Sequence, residues 1–212
     1  MKLTQLEQSG ILIETDKGFT LAIDIGAFTP AEKLEGILPN AMLVSHIHKD
    51  HFSPDQIRTL SPRMLYMGRE CIEEYGTNSY SDILEVKAGD IVDLGEDLNV
   101  SLFEVDHGPN VTVKPEQNFG FLVTADGMKI YFGGDIFYPS GIDVSELEAD
   151  IVLLPVGGHY TFGPDEALAF AKQFKRIGKV IPMHHEMKPE AREQFLELCN
   201  KAGLPTEKSA VL

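Results

Sequence analysis

The sequence has few cysteines, no long apolar run and a shortage of positive charge. Cys71 and Cys199 form no CxxC pair or other metal-ligand spacing, so we expect reduced, buried side chains. No stretch of about 18 apolar residues occurs, which argues against a membrane span. The first ten residues, MKLTQLEQSG, lack the apolar run of a secretory signal. We therefore expect a cytoplasmic protein with no membrane partner.

The charge balance also limits the partners. The chain carries 18 basic and 33 acidic residues, a formal net charge of -15, and its basic residues form no cluster resembling a phosphate-binding stripe. Nucleic acid is therefore not expected as a partner. At 212 residues and 43% hydrophobic content, the sequence predicts a single domain spanning 1–212.

Alternating and apolar runs predict a chain rich in β-strands. KLTQLEQ, ILIET and FTLAIDI open the sequence as a meander, and AMLVS, NVSLFEV, FGFLVTA, KIYFGG and DIVLLPV continue the strand pattern. The segment 163–178 has Pro164 near its start and Gly178 at its end, which predicts a helix. A strand at 179–183 and an amphipathic helix at 188–203 follow. Sheets flanked by helices are the expected architecture.

The histidines are not scattered along the chain. All seven stand at or just beyond the carboxyl end of a predicted strand: His46, His48, His51, His107, His159, His184 and His185. Histidines placed only for packing would not be expected to sort themselves in this way. The pattern indicates a shared site.

The stretch SHIHKDHF, residues 45–52, concentrates three of these histidines. His46 and His48 are two apart in extended chain, so both imidazoles project from one side and can share an ion. Asp50 and His51 follow where the chain turns toward Ser53, predicted to cap a helix with Gln56 completing a capping box. They could serve a second ion. The alternative interpretation is a solvated polar turn.

Three later strand ends add single candidates. His107 ends SLFEVDH, Asp135 ends KIYFGGD, and the pair His184 and His185 ends VIPMHH. Taken alone, His107 could be a surface residue and Asp135 a turn former. A carboxylate can bridge two cations, which imidazole ordinarily does not. Neighbours on an extended strand point to opposite faces, so only one histidine of the pair is expected to be a ligand.

HxHxDH followed by His, Asp and His at successive strand ends resembles the metallo-β-lactamase-fold superfamily of metal-dependent hydrolases. SGILIETDKGFTLAIDIG, YFGGDIF, LLPVGGHYTFGPDEA and VIPMHHEM are similar to the small UlaG-type, L-ascorbate-6-phosphate lactonase-like hydrolases. The resemblance implies an α/β (α+β) fold, a four-layered αββα sandwich. One departure is Gln8, which stands where these relatives commonly carry histidine.

The resemblance also implies a role for each candidate residue. His46, His48 and His107 would bind one metal ion, Asp50, His51 and His184 a second, and Asp135 would bridge them. Asp24 would orient the ligand loop, although it could equally be a turn acid. His159 would be a substrate contact or proton donor, or a structural hydrogen-bonding residue. Self-association as a homo-oligomer is a further implication of the resemblance.

The resemblance implies a metal-dependent hydrolase. Nitrogen and oxygen ligands without thiolate suit two divalent ions, with Zn as the first expectation and Mn or Fe as alternatives. A bridging hydroxide would attack an ester, lactone or phosphoester bond of a small-molecule substrate, and Asp50 or His159 would pass a proton to the leaving group. The alternatives are a small-substrate phosphodiesterase or nuclease of this fold, a mononuclear thiol dioxygenase, and a non-catalytic binding protein.

Overall fold

The computed structural model describes residues 1–76, 81–95 and 97–210 of the protein. The chain divides into two units. The first unit comprises Met1–Lys87 together with Pro115–Gln117, and the second comprises Ala88–Lys114 together with Asn118–Ala210.

The first unit is built on one mixed sheet in the order β1-β2-β3-β4-β5-β6. Strands β1 to β3 are antiparallel neighbours, and β3 to β6 are parallel neighbours. Their bounds are β1 (Lys2–Gln5), β2 (Ile11–Glu14), β3 (Thr20–Ile23), β4 (Ala41–Leu43), β5 (Met64–Met67) and β6 (Asp82–Glu85). Because β3 and β4 are parallel, their carboxyl ends lie at the same edge of the sheet.

Two helices, α1 (Pro54–Leu60) and α2 (Arg69–Tyr75), pack on one face of this sheet, and Ala31–Lys33 form a short 3-10 turn. Alternate side chains of the strands, such as Leu12 and Met42, cluster with Ile57 and Cys71 of the helices. The capping prediction was half right. Ser53 Oγ accepts from the Gln56 backbone nitrogen at 3.3 Å, but the Gln56 side chain instead donates to a backbone carbonyl at Thr29.

The second unit has a sheet in the order β12-β11-β10-β9-β8-β7. Strands β7 to β10 are antiparallel neighbours, and β10 to β12 are parallel neighbours. Their bounds are β7 (Ile91–Gly95), β8 (Leu98–Glu104), β9 (Phe119–Ala125), β10 (Met128–Phe132), β11 (Glu148–Pro155) and β12 (Arg176–Met183). It follows that β8, β10, β11 and β12 all run in one direction, and their carboxyl ends share one edge.

Helices α3 (Pro164–Ala171) and α4 (Pro189–Lys201) belong to this second unit. Phe170 of α3 and Phe195 of α4 lie in one apolar cluster with Tyr131 and Val152 of the sheet, and all four are fully buried. No helix in the described ranges is long and apolar enough to cross a membrane.

The predicted helix over 163–178 was too long. It ends at Ala171, and β12 begins at Arg176. The strand starts early because Arg176 already pairs with Glu148 in the parallel ladder with β11, and its guanidinium also lies 3.4 Å from Glu148 and 3.2 Å from Asp150. Cross-strand pairing of this kind is invisible to a helical periodicity read along the sequence.

The hydroxyl of Tyr131 allows a test of this core. It is fully buried, and its oxygen has no hydrogen-bond partner among the described residues. Because an unpaired buried hydroxyl is costly, we expect Tyr131→Phe to raise the free energy of unfolding by about 1 kcal/mol. Urea denaturation measures this. In the control Tyr66→Phe, a hydroxyl that donates to Met64 Sδ at 3.4 Å is lost, and no gain is expected. A clear destabilisation by Tyr131→Phe would contradict the assignment.

Candidate metal centre

In the first unit, the candidate ligands lie on a tight turn between β4 and α1. Backbone hydrogen bonds from His51 and Phe52 to the His48 carbonyl, at 2.9 Å and 2.8 Å, close this turn. His46 is 1% exposed and His51 is fully buried. Two imidazoles are therefore held inside the protein by a loop whose backbone is fixed by its own hydrogen bonds.

Asp24, which follows β3, fixes this turn from the neighbouring strand. Its carboxylate accepts from the Ser45 backbone nitrogen at 2.7 Å, from Ser45 Oγ at 2.6 Å and from His51 Nδ1 at 2.7 Å. Asp24 is fully buried, so these three bonds replace the water that the carboxylate loses on folding. The part played by Ser45 was not predicted from the sequence.

These contacts also orient the imidazole rings. Because His51 bonds Asp24 through Nδ1, its Nε2 is turned toward Asp50, with 3.7 Å between Nε2 and Asp50 Oδ2. His46 Nδ1 lies 3.0 Å from Ser45 Oγ, and His46 Nε2 lies 3.0 Å from His48 Nδ1. Fixing one ring nitrogen through a hydrogen bond is how proteins present the other as a metal ligand.

The backbone near Asp24 is packed without room for a larger residue. A β-carbon added to Gly26 would lie 2.1 Å from the backbone carbonyl of Asp50. Asp24 itself has φ +51°, in the left-handed region. The ligand turn and the segment after β3 are therefore fitted to each other at backbone level. Gln8, in the turn between β1 and β2, also has left-handed backbone, with φ +56°.

In the second unit, the candidate ligands follow β8, β10 and β12, whose carboxyl ends share one edge. The two carboxylate oxygens of Asp135 face different histidines. His107 Nε2 lies 3.6 Å from Asp135 Oδ2, and His184 Nε2 lies 3.5 Å from Asp135 Oδ1. His107 Nδ1 lies 3.1 Å from the Gly108 carbonyl, which turns Nε2 toward the carboxylate.

His184, rather than His185, is the histidine that lies next to Asp135. It has left-handed backbone, with φ +54°, and a β-carbon added to Gly157 would lie 2.4 Å from its carbonyl oxygen. That tight packing fixes the reversal of the chain after β12. Burial lowers the pKa of the half-buried His185 below its ordinary value.

His159 lies on the loop after β11 and is exposed. Its backbone is left-handed, with φ +65°, and its carbonyl accepts from Asn110 Nδ2 at 2.8 Å. A β-carbon added to Gly108 would meet the Tyr160 carbonyl at 1.8 Å. The loops after β8 and β11 therefore touch within this unit. Tyr160, which exposes 42% of its surface, meets His159 edge-on with 4.4 Å between ring centroids, and Tyr138, after β10, is 46% exposed.

Three of the separations between candidate ligand atoms are longer than ordinary hydrogen bonds. These are the imidazole-to-carboxylate distances, of 3.5–3.7 Å. Two ligands at about 2.0–2.2 Å from one ion stand about 3–3.5 Å apart, close to what each unit presents. The donor set is imidazole and carboxylate, which suits Zn, Mn or Fe. The residues present therefore fit divalent ions.

Similarity to known proteins extends over most of the chain. The Beta-lactamase superfamily domain matches residues 2–184. A UPF0173 metal-dependent hydrolase from Thermococcus kodakarensis is 31% identical over 204 residues, covering 89% of this chain and 86% of that protein. The chain belongs to this hydrolase family, within the beta-lactamase superfamily. The predicted enzyme class and fold, a metal-dependent hydrolase with the metallo-β-lactamase fold, are confirmed.

Solved structures show how widely this fold is used. Igni18, a metallo hydrolase from Ignicoccus hospitalis, has a TM-score of 0.78 at 22% identity, covering 100% of this chain and 96% of that one. CmlA, a diiron β-hydroxylase from Streptomyces venezuelae, has a TM-score of 0.75 at 12% identity, and 54% of its chain is covered. These likenesses show the fold alone. The expected closeness to UlaG-type lactonases stays a prediction.

The Asp24 contacts generate a prediction for the hydrolase. Asp24→Asn replaces a carboxylate oxygen facing His51 Nδ1 with an amide donor, so the imidazole loses its acceptor. We expect Zn²⁺ affinity to fall by about 10–100-fold, measured by competition with a chromogenic chelator. Asp55→Asn, which changes an exposed acid in the first turn of α1, is the control and should bind Zn²⁺ as the wild type does. Equal affinities for both variants would remove Asp24 from the ligand-orienting role.

Proposed function

We propose that the hydrolase cleaves an ester, lactone or phosphoester bond of a small molecule at a centre of two divalent ions. His46, His48 and His107 bind one ion, Asp50, His51 and His184 bind the other, and Asp135 binds both. Zn is the first candidate metal, with Mn or Fe as alternatives.

The observation that carries the proposal is the orientation of Asp135. A carboxylate that binds a single ion can do so through one oxygen, with no need for its second oxygen to face another metal-binding side chain. Here Oδ1 faces His184 at 3.5 Å and Oδ2 faces His107 at 3.6 Å, and each distance is too long for a hydrogen bond. In the first unit, His46 with His48 and Asp50 with His51 offer two separate donor pairs. Both patterns support two ions rather than one.

Two bound ions would supply a bridging hydroxide as nucleophile at neutral pH and a positive centre for the oxygen that gains charge. The protein residues do the remaining work. Asp24 holds His51 in the orientation in which Nε2 serves as the ligand atom. Asp50, which is 20% exposed at its side chain, and the exposed His159 can each carry a proton to the leaving group.

The substrate is expected to be small and partly apolar. Tyr160 exposes ring surface beside His159, and a ring placed in this way can stack on a substrate while its hydroxyl stays in contact with water. The net charge of -15 does not favour nucleic acid, so a nuclease activity is the weaker interpretation. A cytoplasmic location and a homo-oligomeric state stay predictions from the sequence.

Metal content provides the first test of this proposal. The purified wild type, reconstituted with Zn²⁺ or Mn²⁺ and measured by plasma mass spectrometry, should hold two ions per chain. His184→Ala should lose one of the two ions, because the substitution removes the imidazole whose Nε2 is proposed to bind that ion. His185→Ala is the matched control, since it removes the adjacent histidine and should keep both ions. One ion in the wild type would favour the mononuclear alternative instead.

Hydrolysis provides the second test. The metal-loaded protein should turn over at least one member of a panel of lactones, carboxylic esters, phosphodiesters and phosphorylated sugars, followed by proton release or chromogenic product. Asp135→Ala should reduce kcat by at least about 100-fold, because it removes a ligand of both ions. Removal of metal by a chelator should abolish turnover, and added Zn²⁺ or Mn²⁺ should restore it. Retention of both metal and turnover by Asp135→Ala would overturn the proposal.

A further inference from the structure

Asn118 is a buried amide whose partners all belong to the ligand-bearing part of the second unit. It immediately precedes β9 and is 4% exposed. Its Nδ2 donates to the Val105 carbonyl and to the Asp135 carbonyl, both at 3.2 Å. Its own carbonyl accepts from the Val105 backbone nitrogen at 3.0 Å. One side chain therefore uses its two N–H groups on two different segments of chain.

The strand order explains why this position matters. Strand β9 lies between β8 and β10 and runs antiparallel to both, so its first residue lies beside their carboxyl ends. Val105 is two residues before His107, and Asp135 is the candidate bridging ligand. Asn118 thus ties together the two chain segments that carry these ligands. Just beyond, His107 and Ile136 form an isolated antiparallel bridge, and the Phe137 nitrogen donates to the Asp106 carbonyl at 2.9 Å.

The chain leading to Asp135 needs such an anchor. Gly133 and Gly134 precede it, and Gly134 has left-handed backbone, with φ +57°. A β-carbon added to Gly134 would lie 2.6 Å from the backbone carbonyl oxygen of Phe119. Glycine leaves the backbone many conformations of similar energy. A hydrogen bond to the Asp135 carbonyl selects one of them, and with it the direction in which the carboxylate oxygens point.

We propose that Asn118 is a positioning residue for the metal centre: its amide holds the Asp135 carbonyl so that the two carboxylate oxygens meet His107 and His184. Asn118 touches neither metal nor substrate in this role. It acts through the backbone of Asp135. The inference rests on the proposed function, because it assumes that Asp135 is a metal ligand.

A purely structural role for Asn118 would be compatible with the same contacts, so the test needs a matched structural asparagine. Asn40, just before β4, accepts from the Thr20 backbone nitrogen at 2.7 Å through Oδ1 and joins two strands in a similar way. Its partner Thr20 is the first residue of β3, so this bond does not reach a chain segment that carries a candidate ligand. Asn40→Ala therefore removes a side-chain bond to the backbone, as Asn118→Ala does, without touching the Asp135 segment.

The experiment compares wild type, Asn118→Ala, Asn118→Ser and Asn40→Ala as full-length protein. Apparent Zn²⁺ affinity is measured by chelator competition, metal content by mass spectrometry, and ligand geometry by the visible spectrum of the Co²⁺-loaded protein. We expect Asn118→Ala to bind Zn²⁺ about 10–100-fold more weakly and to alter the Co²⁺ spectrum. Asn118→Ser keeps one donor and should be intermediate. Asn40→Ala should lower the melting temperature while its Zn²⁺ affinity stays within about twofold of wild type.

The kinetic readout separates positioning from binding. With any substrate that the wild type turns over, Asn118→Ser should lower kcat by about tenfold or more and change KM little, because the defect lies at the centre and not in substrate contacts. Asn118→Ser also carries the test if Asn118→Ala fails to fold.

Three outcomes decide between the inference and its premise. Wild-type Zn²⁺ affinity and an unchanged Co²⁺ spectrum in both Asn118 variants would overturn the inference while leaving the proposed centre intact. Equal losses of affinity in Asn118→Ala and Asn40→Ala would overturn it as well, because the effect would then follow stability alone. A wild-type protein that binds neither Zn²⁺ nor Mn²⁺ would overturn the proposed function first, and this inference with it.

Discussion

The buried carboxylate of Asp24 is the interaction on which the ligand turn of the first unit depends. A carboxylate without water needs hydrogen-bond donors, and all three of its donors come from residues of the turn, Ser45 and His51. The same three bonds therefore satisfy the charge and set the turn. Loss of the turn would leave an unsatisfied buried charge, so the fold and the orientation of the imidazoles are energetically coupled in this unit.

In the second unit, the candidate ligands are also positioned by a buried polar side chain, but this side chain donates hydrogen bonds instead of accepting them. The ligands of this unit come from three separate strand ends instead of one turn, and a neutral amide that donates, Asn118, takes the place of a carboxylate that accepts. In both units, the anchoring side chain bonds main-chain atoms next to the ligand rather than only the ligand itself. The hydrogen bonds thus hold the backbone, and the backbone conformation sets the direction of the ligand side chains.

Much of the candidate site could be predicted because its signals are local. The spacing of His46, His48 and His51 is visible in six residues, and the Ser53 cap in four. The contacts of Asn118 could not be predicted, because they depend on β9 lying between β8 and β10 in the sheet. The prediction of where α3 ends was wrong for a related reason, because Arg176 pairs with residues of β11 that are distant in sequence. The exposed strand β6, which buries none of its four residues, lacks an apolar alternation that a sequence could reveal.

Left-handed backbone at non-glycine positions has a consequence for the engineering of this enzyme. Asp24, His159, His184 and Gln8 are four of the seven described residues of this kind, and left-handed backbone costs a residue with a β-carbon about 1–2 kcal/mol. Stabilisation methods that follow backbone preference would exchange these residues for glycine or asparagine first. The changes that such methods rank as most favourable would thus fall on candidate site residues, and thermostability would be gained there at the expense of chemistry.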